Sequence, residues 1–218
     1  MSVRSRRWYG LLAAIVLIGV VSGVPGIRGS MLRAAGWALV VDDPVEPADV
    51  VDVIVVPEWA GVAGAIEAAD LFRRGLAHRV ALLPEPQEPA EEELVRRGVS
   101  YVDRSVALVQ LLRSLGVANV DVVPDSAGGT EAEGQVLLSW CDQRQFRSIL
   151  VVSSPDHSRR VRRVLRRALR GHPTTLRIRS ARNSSFDPDR WWMTRAGIRT
   201  GIVELEKLLL DVVRHPMS

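Results

Sequence analysis

The sequence of 218 residues contains a single cysteine, Cys141, and lacks several motifs that mark common enzyme classes. One cysteine excludes an intrachain disulfide and a cysteine-rich metal site. The dinucleotide motif G-x-G-x-x-G, the P-loop G-x-x-x-x-G-K-[ST] and the hydrolase elbow G-x-S-x-G are all absent, which argues against those three classes. The four histidines are far apart and none has a second ligand at metal spacing, so we expect no zinc site of the usual form.

Lysine and aromatic residues are also scarce. Lys207 is the only lysine, so the net charge of +4 comes from arginine. Arginines are concentrated at residues 159–170, around an apolar stripe at helical spacing, and most of them should face away from the core. A solvated helix face is the default interpretation, and contact with anionic lipid headgroups is the next. We expect no nucleic-acid binding, because no aromatic stacking residues are interleaved with the arginines.

A long uncharged run, from Trp8 to Ile27, lies near the N-terminus. Twenty helical residues rise about 30 Å, enough to cross the hydrocarbon core of a bilayer. We therefore predict one transmembrane anchor at residues 1–28 and a connector at residues 29–48, with a cleaved signal peptide as the alternative. More arginines precede the run than follow it closely, which favours a single-pass protein of the cell membrane with a cytoplasmic N-terminus and an external domain.

Residues 49–214 alternate between apolar β-branched segments and helical patterns. Strands are predicted at 50–56, 79–83, 120–123, 149–152 and 176–178. Helices are predicted at 61–76, 91–97, 105–115 and 130–142. A further helix should follow the fourth strand directly, and the last helix should include residues 198–209. This alternation predicts one α/β domain, a three-layer Rossmann-like sandwich with a mostly parallel sheet.

The segment of residues 148–160 predicts a buried strand that turns into an arginine-rich helix, at the strand end where α/β folds bind ligands. Ser154 is the predicted N-cap and Pro155 the first helical residue. His157 and Arg160 are one helical turn apart, so both should reach a phosphate or carboxylate held at the helix N-terminus. The alternative is a well-capped helix whose His157 packs at the top of the core.

A second candidate segment follows the third predicted strand. Gly128 and Gly129 would let the backbone approach a ligand closely, with Thr130 and Glu133 as further ligand-binding residues. The alternative is that Thr130 and Glu133 form a capping box, which would explain both residue types without a ligand.

Two further candidates lie beside strand ends. Glu58 follows the first strand and is a candidate general base or cation ligand, whereas Pro57 beside it also fits a rigid surface turn. Ser153 or Ser154 is a candidate nucleophile served by His157, although capping alone explains a serine there.

From about Leu39 to Val213 the chain resembles the YdcF-like family of bacterial envelope proteins, which is built on a domain of unknown function. The most specific matches are Thr130 with Glu133, the Ser-Pro-x-His-x-x-Arg element at 154–160, and the C-terminal pair Glu204 and Lys207. Weaker matches are the segments 40–49 and 68–77. The chain departs from the family pattern at three places: residues 55–59 replace a glycine-rich turn, Asp156 replaces an aromatic residue, and residues 84–86 replace glycines.

The resemblance implies an anchored Rossmann-like domain with a role in envelope biogenesis or barrier integrity. From it and the residues above, we expect a site for an anionic small molecule or lipid-linked precursor, with His157 moving a proton, Arg160 neutralising charge, and Glu204 and Lys207 orienting the site. A scaffold module without turnover is the second hypothesis, favoured by the acidic turn at Glu58. The third is a cytoplasmic domain that binds a nucleotide or S-adenosylmethionine; no cofactor is indicated.

Overall fold

The computed structural model describes residues 25–46, 48–124 and 129–216. Over these residues the chain forms seven α-helices and five β-strands. The helices are α1 (Pro25–Trp37), α2 (Gly61–Arg73), α3 (Pro89–Arg96), α4 (Arg104–Ser114), α5 (Gly129–Arg144), α6 (Pro155–Ala168) and α7 (Arg195–Arg214). The strands are β1 (Val53–Pro57), β2 (Val80–Leu83), β3 (Val120–Val122), β4 (Ser148–Ser153) and β5 (Thr175–Ser180).

The five strands form one parallel sheet in the order β3-β2-β1-β4-β5. The predicted α/β, Rossmann-like fold is therefore confirmed. Strands β1 and β2 are buried along their whole length, which is why their sequences are continuous apolar runs. After β3 the chain crosses to the other side of β1, so the strand order reverses between β1 and β4. Open α/β sheets bind ligands at such a crevice.

Helices cover both faces of the sheet. On one face, Leu71 of α2 and Leu112 of α4 pack against the side chains of β1 and β2. On the other face, Trp140 and Cys141 of α5 and Val161 of α6 pack against β1 and β4. The sheet is thus the middle layer of three, and Cys141 is a buried core residue, as its apolar neighbours predict.

The first strand begins at Val53 rather than at residue 50, because the chain before it turns to bind β4. The carboxylate of Asp52 accepts hydrogen bonds from the backbone N–H groups of Arg147 and Ser148, at 2.6 and 2.8 Å. Hydrogen bonds from these groups outweigh the effect of burial and lower the pKa of Asp52. This carboxylate fixes the register of β1 against β4.

The end of the predicted connector, at residues 41–43, packs along the outer edge of β5. The backbone N–H of Ile178 donates to the Asp43 carboxylate at 2.9 Å, and the N–H of Ser180 donates to Asp42 at 2.9 Å. Arg179 donates to Asp42 at 2.9 Å. These partners accommodate arginines within a strand, so β5 extends to Thr175–Ser180, beyond the predicted residues 176–178.

Nearly all of the predicted membrane anchor lies outside the described residues. Among residues 25–46, 48–124 and 129–216, no helix is both long and apolar enough to cross a bilayer. Helix α1 starts at Pro25 and packs on the domain, where the indole Nε1 of Trp191 donates to the carbonyl of Leu32 at 2.8 Å.

Candidate functional site

A cavity of about 350 Å³ lies where β1 and β4 end and where α5 and α6 begin. Most of the predicted site residues line it: Gly129, Thr130, Glu133, Ser154, His157, Arg160, Glu204 and Lys207. Four further residues complete the lining, namely Trp59, Glu85, Pro86 and Asp156. Two predicted residues, Glu58 and Ser153, do not line it. The sheet therefore gathers segments that are distant in sequence at the expected crevice.

Helix α6 starts as predicted, with Ser154 at the N-cap and Pro155 as the first helical residue. The Ser154 hydroxyl makes no hydrogen bond to the backbone of the first turn, so its position in the cavity is not explained by capping. Ser153 is fully buried, and its hydroxyl donates to the Ser154 carbonyl at 2.9 Å. Because Ser153 lies outside the cavity, this geometry gives no support to a Ser153 nucleophile.

Glu204 of α7 is the centre of a buried hydrogen-bond network. Its Oε2 accepts from His157 Nδ1 at 2.8 Å and from Arg160 Nε at 3.0 Å, and its Oε1 accepts from Lys207 Nζ at 2.9 Å. Burial alone would raise the pKa of Glu204, but the hydrogen bonds from His157 and Arg160 outweigh it and bring the pKa far below the usual range. Glu204 is therefore ionised at neutral pH.

His157 is buried, and its Nδ1 lies 2.8 Å from both Glu204 Oε2 and Arg160 Nη2. With Nδ1 donating to the carboxylate, Nε2 carries the lone pair. Burial lowers the pKa of His157; the hydrogen bond to Glu204 opposes this, and Arg160, whose Nη2 lies 3.2 Å from Nε2, lowers the pKa further. Since the net shift is downward, the imidazole is neutral at neutral pH, and Nε2, which Arg160 Nη2 approaches, is the ring position that can accept a proton.

Arg160 also connects α6 to the start of α5, because its Nη1 donates to Thr130 Oγ1 at 3.0 Å. Thr130 is the second residue of α5, so it is not an N-cap, and the capping box proposed for Thr130 and Glu133 is not formed. The helix begins one residue earlier, at Gly129, whose φ of 75° is readily adopted by glycine. We call Gly129, Thr130, Arg160 and Lys207 the cationic lining.

A second set of lining residues carries carboxyl groups: Glu85, Glu133 and Asp156, which we call the acidic lining. Burial raises the pKa of Glu133; a hydrogen bond from Trp59 opposes the shift, and nearby Glu85 adds to it. Burial likewise raises the pKa of Asp156. The ring of Trp59 also meets the His157 ring edge-on, with centroids 4.4 Å apart.

Glu58, predicted as a base or cation ligand, holds a loop in place instead. Its Oε2 accepts from the backbone N–H of Glu85 at 3.1 Å, and its Oε1 pairs with Arg104 Nε at 3.1 Å. Burial raises the pKa of Glu58, while these two contacts oppose the shift. Glu58 therefore does not line the cavity, and its role is to position Glu85, which does.

Sequence reasoning named Trp59, Glu85 and Asp156 only as departures from a family pattern and did not place them in the site. A signal was present, since each follows a predicted strand of the sheet within a few residues. Residues directly after parallel strands share one edge of the sheet, so all such positions were candidates.

Among the residues that the structure describes, one group has metal-ligand spacing: Glu131, Asp211 and His215. Asp211 already forms ion pairs with Arg163 and Arg167, and the hydrogen bonds of these two arginines outweigh burial and lower its pKa. The group lies outside the cavity with His157.

No family model, curated protein or solved structure matches this chain.

The geometry of the cavity defines its chemical capacity. Two helix N-termini, of α5 and α6, meet at the cavity and direct the positive ends of their dipoles toward it. Arg160 and Lys207 add two positive charges, of which Glu204 neutralises one. His157 adds a neutral imidazole whose orientation is held by Glu204.

Proposed function

We propose that the cavity binds a small anionic, phosphate-bearing molecule, with His157 as the proton acceptor. The observation that carries the proposal is the meeting of the cationic lining, on two helix N-termini, with an oriented and neutral histidine. Helix N-termini favour anions through free N–H groups and the helix dipole. Arg160 and Lys207 carry two positive charges and Glu204 neutralises one of them, so this lining also favours a negatively charged ligand.

His157 is suited to processing a bound phosphate ester. Glu204 holds Nδ1, so Nε2 faces the ligand as a base that activates water or a hydroxyl group. Arg160, beside Nε2, would stabilise negative charge that develops on the phosphoryl oxygens. The carboxylate–imidazole pair is a common arrangement for orienting a histidine that transfers protons.

A binding module without turnover is the second candidate, and one observation favours it. All three nitrogens of the Arg160 guanidinium already have partners within the protein, at Glu204, Thr130 and His157. An arginine held in this way preorganises a site but has few donors left for a ligand.

We further propose that the domain belongs to a membrane-anchored protein of the cell envelope, placed outside the membrane. The uncharged run from Trp8 to Ile27 and the resemblance to the YdcF-like family support this setting. So do the exposed apolar residues on each of the two terminal helices of the described chain: Ile27 and Met31 on α1, and Ile198, Ile202, Leu209 and Val213 on α7. A reporter fused to the C-terminus that is active only outside the cytoplasm tests the topology.

Thermal-shift measurements on the full chain in mild detergent test the binding proposal. The probes are inorganic phosphate, glycerol phosphate, a nucleotide and S-adenosylmethionine. A ligand at one hundred times its Kd stabilises the native state by about 2.7 kcal/mol, which corresponds to about 5–10 °C for a domain of this size. We expect a shift with a phosphate probe and none with S-adenosylmethionine.

Variants assign the shift to the cavity. Arg160→Ala and Lys207→Ala should abolish the shift, whereas Arg166→Ala, an exposed arginine of the same helix α6, should keep it. A shift that survives in both cavity variants places binding elsewhere, and the absence of any shift with all phosphate probes refutes the proposed function. Hydrolysis of a bound ester that is lost in His157→Gln separates the enzyme from the binding module.

A further inference from the structure

The acidic lining of the cavity contains a buried carboxyl group with too few partners. The Glu133 residue is only 7% exposed. Its Oε2 accepts one long hydrogen bond, 3.5 Å from Trp59 Nε1, and no described residue donates to its Oε1. Arg160 attracts the carboxylate through space and opposes the rise in its pKa, but no described cation forms an ion pair with it. A buried carboxylate without a cation or several hydrogen bonds costs several kcal/mol, so such groups take up a proton or bind a cation.

Asp156 and Glu85 extend the unbalanced negative charge around Glu133. No described basic side chain forms an ion pair with Asp156, and within the described part of the chain the Glu85 carboxylate pairs with Arg104 alone, at 3.9 Å. Arg104 is itself shared with Glu58 and Glu91. The cavity therefore has two unlike linings, one with excess positive charge and one with excess negative charge.

We infer that the acidic lining binds the ammonium group of a zwitterionic ligand, while the phosphate of the same molecule lies on the cationic lining. The inference rests on the proposed function and specifies its ligand class. A primary ammonium has three N–H donors and no acceptor, which matches a site made of carboxyl oxygens. Binding would supply the missing partner of Glu133 Oε1 and stabilise the ionised form of that carboxyl group.

An ammonium fits this lining better than a metal ion does. A divalent cation needs several oxygen ligands within a few ångströms of one another. Among the described residues, the acidic lining is not a group whose carboxyl oxygens all lie within 4.8 Å of one another; only the separate group at Asp211 is. An ammonium on a flexible stem needs no such cage, because it satisfies separate acceptors through separate N–H bonds.

A pair of isosteric probes tests the inference by calorimetry on the full chain in detergent. Phosphoethanolamine and propyl phosphate differ only in an ammonium that replaces a methyl group. We expect the wild-type protein to bind phosphoethanolamine at least tenfold more tightly. In Glu133→Gln this preference should fall to about twofold or less, since the neutral amide keeps the shape and loses the charge. Glu131→Gln, an exposed residue of the same helix, should keep the full preference.

The outcomes are distinct. If both probes bind the wild-type protein equally, or if the preference survives in Glu133→Gln, the inference is wrong while the phosphate site stands. If neither probe binds a folded protein, the proposed function fails and the inference fails with it. Asp156→Asn, at a partly exposed position, should also reduce the preference, and it serves if Glu133→Gln does not fold.

An additional experiment distinguishes two sources of such a ligand, a lipid headgroup and a soluble phosphate monoester. Glycerophosphoethanolamine carries the same ammonium and phosphate as a diester, as in a lipid headgroup. Tighter binding of the diester than of phosphoethanolamine indicates a lipid headgroup, and the opposite order indicates a soluble phosphate monoester. Either order, with the preference lost in Glu133→Gln, supports the inference.

Discussion

Replacing Glu204 is the sharpest perturbation of the site, because one carboxylate accepts hydrogen bonds from His157, Arg160 and Lys207. Glutamine keeps the shape of the side chain and one acceptor oxygen. With that oxygen at the Oε2 position, the contacts to His157 and Arg160 persist, but the charge that balances Arg160 is lost. The amide group then faces Lys207, whose exposed ammonium turns into solvent.

The magnitude follows from burial. A hydrogen bond to a charged group contributes about 1.5–3 kcal/mol, and removing one partner of a buried ion pair costs about 3–5 kcal/mol. The half-exposed Lys207 contributes little. We expect Glu204→Gln to lose about 2 kcal/mol of unfolding free energy and Glu204→Ala about 4 kcal/mol. For a domain of this size, these losses lower Tm by about 4–8 °C and about 8–16 °C.

The pH dependence has a defined sign. The folded-state pKa of Glu204 lies below the unfolded value of 4.5, so its stabilisation is fully present above about pH 5 and is lost as the pH falls toward the folded pKa. Glutamine does not titrate. The difference in stability between the wild-type protein and Glu204→Gln should therefore be constant from pH 6 to 8 and shrink below about pH 4.5.

Urea unfolding followed by tryptophan fluorescence measures these free energies across the pH range. The matched control is Glu206→Gln, which removes the same charge from an exposed position of α7. The control should change stability by no more than about 0.5 kcal/mol. A loss in Glu204→Gln no larger than that of the control, or a difference that grows at low pH, refutes the network as described.

Three further predictions follow from contacts elsewhere. Gly201→Ala should destabilise the protein by several kcal/mol in thermal unfolding, because its Cβ would lie 2.5 Å from Cε3 of the buried Trp191 ring, whereas Gly29→Ala, with open space around it, should be neutral or stabilising. In a nitrogen NMR titration, His157 should titrate below the ordinary histidine value of 6.5, since burial lowers its pKa; titration at or above that value contradicts this. Burial raises the pKa of Cys141 to about 12, so it should react with a thiol reagent at pH 8 only after unfolding, and rapid labelling of the native protein contradicts its burial.

The parallel sheet was predictable because its central strands are apolar on both faces, a pattern that few other structures produce. Strand ends were less predictable wherever a charged residue continues the strand or bonds to its neighbour. Arg179 lies within β5 because Asp42, far away in sequence, accepts its hydrogen bond. Local patterns contain no information about such a partner, so the predicted strand stopped before it.

The position of the site was predictable from strand ends, but the role of each residue was not. His157 and Arg160 were found because both follow β4 at helical spacing. Glu58 also follows a strand, yet its side chain turns toward Arg104 and the backbone of Glu85. Spacing alone does not give the direction of a side chain, which is set here by a cation on α4.

The cationic lining and the acidic lining differ in how well their residues agree with the sequence pattern of the YdcF-like family. Both charged members of the cationic lining, Arg160 and Lys207, are among the residues on which the proposed resemblance to the YdcF-like family rests. The three departures from the family pattern are the places that contribute Trp59, Asp156, Glu85 and Pro86 to the same cavity.

These departures act together, since Glu58, within the first of them, accepts the backbone N–H of Glu85 and so holds the second at the cavity. All three segments contribute to the cavity that Glu133 also lines. This shared position fits the ligand that we propose, with its phosphate on the cationic lining and its ammonium on the acidic lining. The acidic turn at Glu58, which favours the scaffold hypothesis when the sequence is considered alone, would then contribute to the proposed site by holding Glu85 in place.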